Sequence, residues 1–391
     1  MSASRRRDNP PARFRLTRGG WVFLGASIVV GVVALNSGLG LVFVLFGCML
    51  GALYASAVLA RRIVAGVQVW RDFPARCRQG RPVSLGYRLR YSRGGACLAL
   101  CVEEMGLKGL HLPPAACGHL PGRQDSFCQT DATPRRRGRV HFRSVRLSTT
   151  FPFGLVSASR QFAQETSLVI WPARGQLTRA VLGKGEAQTA AAAPSYRPGG
   201  QEEFYGLREY RLGDNAKWIH WRRSAGRQEL VVREMARPRP RTLWLVVDTR
   251  LGDTSLAEHQ RRERAIRLAA TVLEDALAAG YRVGAVMGHN GRSRVVPPAD
   301  RRAQRARLLD ALAEVDDTPA PALPATLGSL RPNWLRQAHV IVISGSDQAE
   351  SAAGKALTEV RRHCRTLSIL TGPRVVELLR DDPAVAELEG R

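Results

Sequence analysis

The sequence predicts a membrane helical hairpin, then a β-sandwich-like module, then a doubly wound α/β domain. Three observations carry this. From Trp21 to Ala60 no residue is charged. From residue 63 to 175, short apolar or alternating runs are separated by turn residues. From Arg241 onward, apolar strand runs alternate with helical patterns. The chain has 391 residues, a length that fits two or three domains.

The 21–60 run is about twice the ~20 residues that one helix needs to cross a bilayer. It therefore reads as two transmembrane helices, with the polar break Asn36-Ser37-Gly38 as the turn. A cleaved signal peptide is a poorer fit, because its apolar region runs only about 7–15 residues. A buried hairpin in a soluble protein is the competing account, and charge-free runs of this length are rare outside membranes. The flanks set the orientation. Arg5, Arg6, Arg7, Arg13, Arg15 and Arg18 precede the run, Arg61, Arg62 and Arg71 follow it, and the turn has no cation. Positive residues stay on the cytoplasmic side. The expectation is a multi-pass membrane protein with a basic N-terminus at 1–20 and both termini cytoplasmic.

Residues 61–175 read as the β-rich module. VAGVQVW, VSLGYRLRY, CLALCVEE, RVHFRSVRLSTT and SLVIWP are strand-like, and QGRP, SRGG, LPPAACG and PRRRG separate them. Thr150-Phe151-Pro152-Phe153-Gly154 closes a strand. Pro152 cannot donate to a central ladder and Gly154 permits a tight turn, so the two Phe are expected to pack a corner. The seven cysteines include Cys97, Cys101, Cys117 and Cys128, which with His119 allow a zinc reading. Their spacing has no CxxC pair, and small buried hydrophobes are the simpler account. Residues 176–200 are rich in Ala, Gly and Pro without apolar period, as in a linker.

The segment 201–235 carries two tryptophans three apart, Trp218 and Trp221, among many charges. Gly213-Asp214 reads as a turn followed by an N-cap. Residues 215–223 would then make two helical turns that put both Trp on one face. One account has Arg208, Arg211, Arg222, Arg223 and Arg227 gripping an acidic partner. The other, favoured by the sequence, has Arg stacking on Trp and pairing with Glu209, Asp214 and Glu229 to seal a domain joint. His220 would reach Asp214 only if the segment were helical.

Residues 241–391 read as the α/β domain. TLWLVVDT, YRVGAVMG, HVIVISG and RTLSILTG are buried strand runs with helical patterns between them. Asp248 ends the first strand and Ser344-Gly345-Ser346-Asp347 ends a later one. Carboxyl ends of strands are where open α/β sheets bind ligands. Two carboxylates and two hydroxyls there would suit Mg²⁺. The arrangement resembles the metal-ion-dependent adhesion site of von Willebrand factor A domains, which begins Asp-x-Ser-x-Ser. Here the row reads Asp248-Thr249-Arg250-Leu251-Gly252, so both serine positions differ and Arg250 opposes a cation.

The formal charge is +26, but only four of the 59 basic residues are Lys, and the Arg are spread along the chain. A charge of this size invites a nucleic-acid reading, which the Arg bias and spread weaken; it could equally hold the protein against anionic lipid headgroups, and nucleic acid is not the expected partner. There is no GxSxG, HExxH or GxxxxGK[ST].

Arg208-x-Tyr210-x-x-Gly213-Asp214-x-x-Lys217-x-Ile219-x-Trp221, then Ser224-Ala225, then Leu230-x-Val232-Arg233-Glu234, resembles the hallmark of the domain of unknown function 58 family. Lys217 stands where that family usually has Arg. The resemblance implies a membrane hairpin, a β-rich region with an Arg-Gly segment and a Pro-Phe-Gly corner, the motif, and a von Willebrand factor A-like domain, in that order. The candidate interaction motif of this segment is Arg208, Tyr210, Gly213, Asp214, Lys217, Trp218, Trp221 and Arg233. A MoxR-type AAA+ ATPase is the implied partner, with a transglutaminase-like membrane protein as a further one. The expected function is a membrane-anchored, non-enzymatic scaffold or adaptor without a cofactor, in protein assembly or envelope maintenance. The alternatives are a membrane-tethered nucleic-acid binder and a metal-dependent hydrolase using Asp248 and Asp347 with Mg²⁺.

Overall fold

The structure is a computed structural model. It describes residues 12–179, 181, 196–212, 214–226, 229–238, 241–253, 255–299, 301–315, 320–383 and 385, with the backbone alone for 196–206, 234–238 and 301–302. The chain forms two compact units. The first runs to Ala173 and takes in the residues from Asp382. The second spans Arg174–Asp381.

The first unit opens with strand β1 (Arg13–Leu16), helix α1 (Arg18–Ser37) and helix α2 (Gly40–Gly66). Both helices are long and apolar enough to cross a bilayer. Thr17 caps α1, its Oγ1 accepting from Gly20 N at 2.9 Å. Gly38 ends α1 at φ 64°, the left-handed conformation that glycine adopts without cost. The buried positions of α1 are small, namely Gly20, Ser27, Gly31 and Ala34. A Cβ on Gly31 would meet the Phe46 ring at 2.9 Å, so the two helices approach closely there. Val22, Leu35, Leu41 and Tyr54 stand outward, each more than 70% exposed. The hairpin does not stop at Ala60. The helix runs on to Gly66 because Ala60 and Val64 bury against Ala158.

The strands that follow are β2 (Val67–Asp72), β3 (Arg76–Arg78), β4 (Val83–Tyr91), β5 (Cys97–Met105), β6 (Ala115–Leu120), β7 (Asp125–Ala132), β8 (Gly138–Thr149) and β9 (Val156–Trp171). They form two sheets, β1-β9-β8-β5-β6 with β3 paired to β9, and β2-β4-β7. Their inner faces share one core: Val69, Tyr87 and Leu89 from the smaller sheet lie among Leu100, Val102, Val145 and Leu147 from the larger. β4 shows the period of two: Leu85, Tyr87, Leu89 and Tyr91 are buried, and Arg88 and Arg90 are exposed. The sequence reading missed β1. Its alternate arginines make a charged edge, and it pairs antiparallel to β9, Arg13 to Ser159 and Leu16 to Val156.

The second unit holds β10 (Gln176–Leu177), β11 (Tyr196–Glu209), β12 (Val231–Pro238), β13 (Thr242–Val247), β14 (Arg282–His289), β15 (Arg292–Val296), β16 (His339–Ser344), β17 (Thr366–Thr371) and β18 (Leu379–Arg380). β10, at the start of the Ala/Gly/Pro-rich stretch, pairs with β18. Residues 182–195 of that stretch lie outside the described residues. The main sheet has the order β15-β14-β13-β16-β17, and its neighbours are parallel except β14-β15. Helix 256–278 is started by Ser255, whose Oγ accepts from Glu258 N. Trp244 is fully buried in the sheet and stacks on Trp334, with centroids 5.5 Å apart. β15 was missing from the sequence reading. Asn290-Gly291, both at positive φ, turns the two-residue hairpin, and that dipeptide is a hairpin signal in the sequence.

Candidate functional site

β11 and β12 pair antiparallel, with Arg208 opposite Val232 and Glu209 opposite Val231. The family-like motif fills the loop between them. The Arg208 guanidinium closes the loop by gripping both oxygens of Asp214, at 2.6 Å each. Asp214 also accepts from Arg211 N at 2.8 Å. These donors, the Arg208 side chain first, hold the Asp214 carboxyl down at about 2. Asn215 Oδ1 accepts from Lys217 N and starts a 3₁₀ turn at Ala216–Trp218. Ile219 is buried and bridges to Val232. His220 N donates to Val231 O, and His220 Nδ1 accepts from Arg223 N to start a single helical turn, Trp221–Ser224. Ser224 Oγ donates to His220 O and accepts from Val231 N, which sews that turn to β12.

This differs from the expected two-turn helix over 215–223. Ile219 takes an extended conformation to reach Val232, and that breaks the helix between the two Trp. Trp218 and Trp221 therefore share no helical face. Trp218 is half-buried, and Trp221 is 65% exposed. Asp214 is the acceptor of the loop closure, and the caps are Asn215 and His220. His220 does not pair with Asp214. Gly213 and Arg227 lie outside the described residues. Tyr210 is half-buried, with its N–H on Leu230 O.

What the loop presents is apolar and cationic. Leu212 is fully exposed, and Leu230 and Trp221 are exposed in the same loop. Arg211, Lys217, Arg222, Arg223 and Arg233 are exposed as well. Leu212 and Asn215 went unremarked in the sequence, and Ser224 stood out only as part of the motif. An isolated leucine inside a charged turn was the one signal that could have singled out Leu212.

The second candidate lies where β13 and β16 run side by side. Asp248 N donates to Ile343 O at 2.9 Å, and Ser344 Oγ donates to Asp248 Oδ2 at 2.8 Å. Arg250 N reaches Asp248 Oδ1 at 3.2 Å, and Thr249 Oγ1 donates to Gly288 O. Asp248 is 8% exposed. Burial pushes its carboxyl above the usual range, with the Ser344 and Arg250 donors pulling it back. Asp347 has other company, on the wall of a cavity of about 230 Å³ with Arg261, Arg264, Gly345 and Gly372. Gly372 must be glycine, since a Cβ would fall 1.5 Å from Asp347 Oδ1. Among the described residues no three or more His, Cys, Asp or Glu converge as metal ligands. Both Asp248 oxygens already accept protein donors, and a cation near Asp347 would meet two guanidinium groups. This donor set does not fit Mg²⁺ well. Burial pushes the Cys97, Cys101, Cys117 and Cys128 thiols up, as for small side chains packed in a core.

Residues 206–377, which include this loop and the whole main sheet, match the family model described as "Protein of unknown function DUF58". The chain is 24% identical over 273 residues to "Uncharacterized protein YeaD" of Bacillus subtilis (strain 168). That alignment takes in 68% of this chain, which spans 66% of the relative's length. Among solved structures, Cwp6 from Clostridium difficile matches at 9% identity over 79% of this chain and 37% of its own, with a TM-score of 0.14. A GH20 exo β-N-acetylglucosaminidase from Vibrio harveyi matches at 11% identity over 53% and 45%, with a TM-score of 0.15. Similarities that low carry no argument about fold or activity.

Proposed function

This chain belongs, through residues 206–377, to the DUF58 family, and on that premise we propose that it is a membrane-anchored, non-enzymatic adaptor. Its α1–α2 hairpin holds it in the bacterial inner membrane, with both termini on the cytoplasmic side where the flanking arginines sit. The 242–380 region is read as von Willebrand factor A-like, a reading supported by the strand order and the one antiparallel edge strand. The partner is a MoxR-type AAA+ ATPase, and a transglutaminase-like membrane protein is a further associate. The work served is protein assembly or envelope maintenance.

The single observation that carries this reading is the 210–230 loop. It is tightly hydrogen-bonded to β12 yet leaves Leu212 and Trp221 exposed among cations. The loop buries Ile219 in its own fold but leaves Leu212 and Trp221 outside, and exposed apolar side chains on a well-bonded loop suit burial against a partner. Trp and Arg are the residue types that dominate binding energy at protein interfaces. The cations call for an acidic rim on the partner. The hydrolase alternative has less support, because the Asp248 carboxylate is already committed to Ser344 and Arg250. The test is affinity purification from detergent-solubilised membranes of the native host, wild type beside a Leu212→Ala, Trp221→Ala variant, with mass spectrometry of the eluates. An AAA+ ATPase enriched with wild type and lost with the folded variant supports the adaptor. Equal recovery with both removes the loop from the docking surface.

A further inference from the structure

The turn that closes β8 is tied to the start of the membrane hairpin. Thr17, the cap of α1, donates from Oγ1 to Gly154 O at 2.6 Å and from its N–H to Leu155 O at 3.0 Å. Gly20 lies so close that a Cβ would stand 2.0 Å from Leu155 O. The corner is thus fixed to the first turn of α1, backbone to backbone. Phe151 packs on the core between the sheets as expected of a corner residue. Phe153 does not: it is 61% exposed. Its neighbour Gly154 bonds the cap of the helix whose first turn carries Trp21, which is itself 64% exposed. Trp21 is four residues beyond Thr17, about one helical turn, ~5–6 Å, along α1.

The charge around this corner has one sign. Arg13, Arg15 and Arg18 are exposed beside it. No Asp or Glu occurs from Ala12 to Arg71, nor from Leu147 to Gln164. An aromatic pair at the mouth of an apolar helix, ringed by cations without acids, matches the headgroup layer of an anionic membrane. We infer that the Phe151–Gly154 corner is a membrane-interface contact, with Phe153 seated among anionic phospholipid headgroups beside Trp21. It fixes the β-module against the bilayer surface, so that the module does not swing freely on the hairpin. This inference rests on the proposed membrane hairpin and adds a peripheral lipid contact to it.

The test places a photoreactive p-benzoylphenylalanine at Phe153, Val44 or Arg136 of the full chain. Each version is reconstituted in nanodiscs of phosphatidylcholine with or without phosphatidylglycerol, irradiated, and examined by mass spectrometry for lipid adducts. Val44, exposed on α2, reports the hairpin. Arg136 is exposed just before the opposite end of β8, about 40 Å away by strand length. The expected result is lipid adducts at positions 44 and 153 and none at 136, with the yield at 153 rising several-fold when phosphatidylglycerol is present. Adducts at 44 without any at 153 overturn the inference and leave the hairpin standing. No adduct at 44 overturns the hairpin and the inference with it. Equal yields at 153 with and without phosphatidylglycerol overturn the anionic preference. Adducts at 136 matching those at 153 overturn the contact as unspecific.

Discussion

Arg71 reaches from β2 to Glu104 on β5 with both partners 98% buried, at 2.8 and 2.7 Å. It also donates to Gln164 O on β9, while Tyr87 donates to Glu104 at 3.1 Å. The guanidinium lies over the Phe73 and Phe142 rings. Every charge in this network has partners, so removing one leaves a buried charge uncompensated. Arg71→Met should therefore cost about 3–5 kcal/mol, and the Arg71→Met, Glu104→Leu pair clearly less. Urea unfolding in detergent, followed by tryptophan fluorescence, checks both. Asp214 gives a pH prediction. Its carboxyl sits at about 2 against an ordinary 3.8, so it favours the closed loop while ionised. That contribution is fully present above pH 3.8 and is lost as pH falls through about 2. Hydrogen exchange of the 210–230 amides should rise over that window in wild type and show no such step in Asp214→Asn. The sequence offered Arg–acid pairing in this loop as part of the favoured of two accounts, without singling out Arg208 with Asp214. It could not announce the buried Arg71–Glu104 pair, because those partners are brought together only when β2 and β5 face each other across the core.

Among the elements, the hairpin and the strands were legible because their signals are local: a charge-free run, an alternation, a buried apolar run. The failures have a common cause. Over 215–223 the local sequence favours helix, but Ile219 gains more by bridging to Val232. Helix α2 runs past Arg61 and Arg62 because Ala60 and Val64 find Ala158. β1 forms only because β9 offers an edge. In each case a distant segment decides, and no window of the sequence contains it. The docking of α1 on the corner yields a direct test. Gly20→Ala must push Leu155 O away and should cost about 1–3 kcal/mol. Gly25→Ala, with nothing within 4 Å of its added Cβ, should cost nothing. Thermal unfolding in one detergent compares the two.

For the whole molecule, the charge of +26 is a poor guide to partners by itself, since the arginines are spread along the chain. Its placement is more informative. Cations crowd the base of the hairpin and the 210–230 loop, and the same residue type serves a lipid surface in one proposal and a protein surface in the other. Under the proposed function, anchoring the chain in a membrane would raise the loop's effective concentration toward a partner held at the same surface. The partner's identity was never legible in the residues; the proposal specifies only its complement, an apolar pocket with an acidic rim. The most direct measurement is a titration of a purified MoxR-type ATPase from the same organism onto the full chain held in nanodiscs, wild type against Trp221→Ala. The account predicts saturable binding that Trp221→Ala weakens by roughly 2 kcal/mol or more, about 30-fold. Binding of equal strength to both chains, or none to wild type, would contradict it.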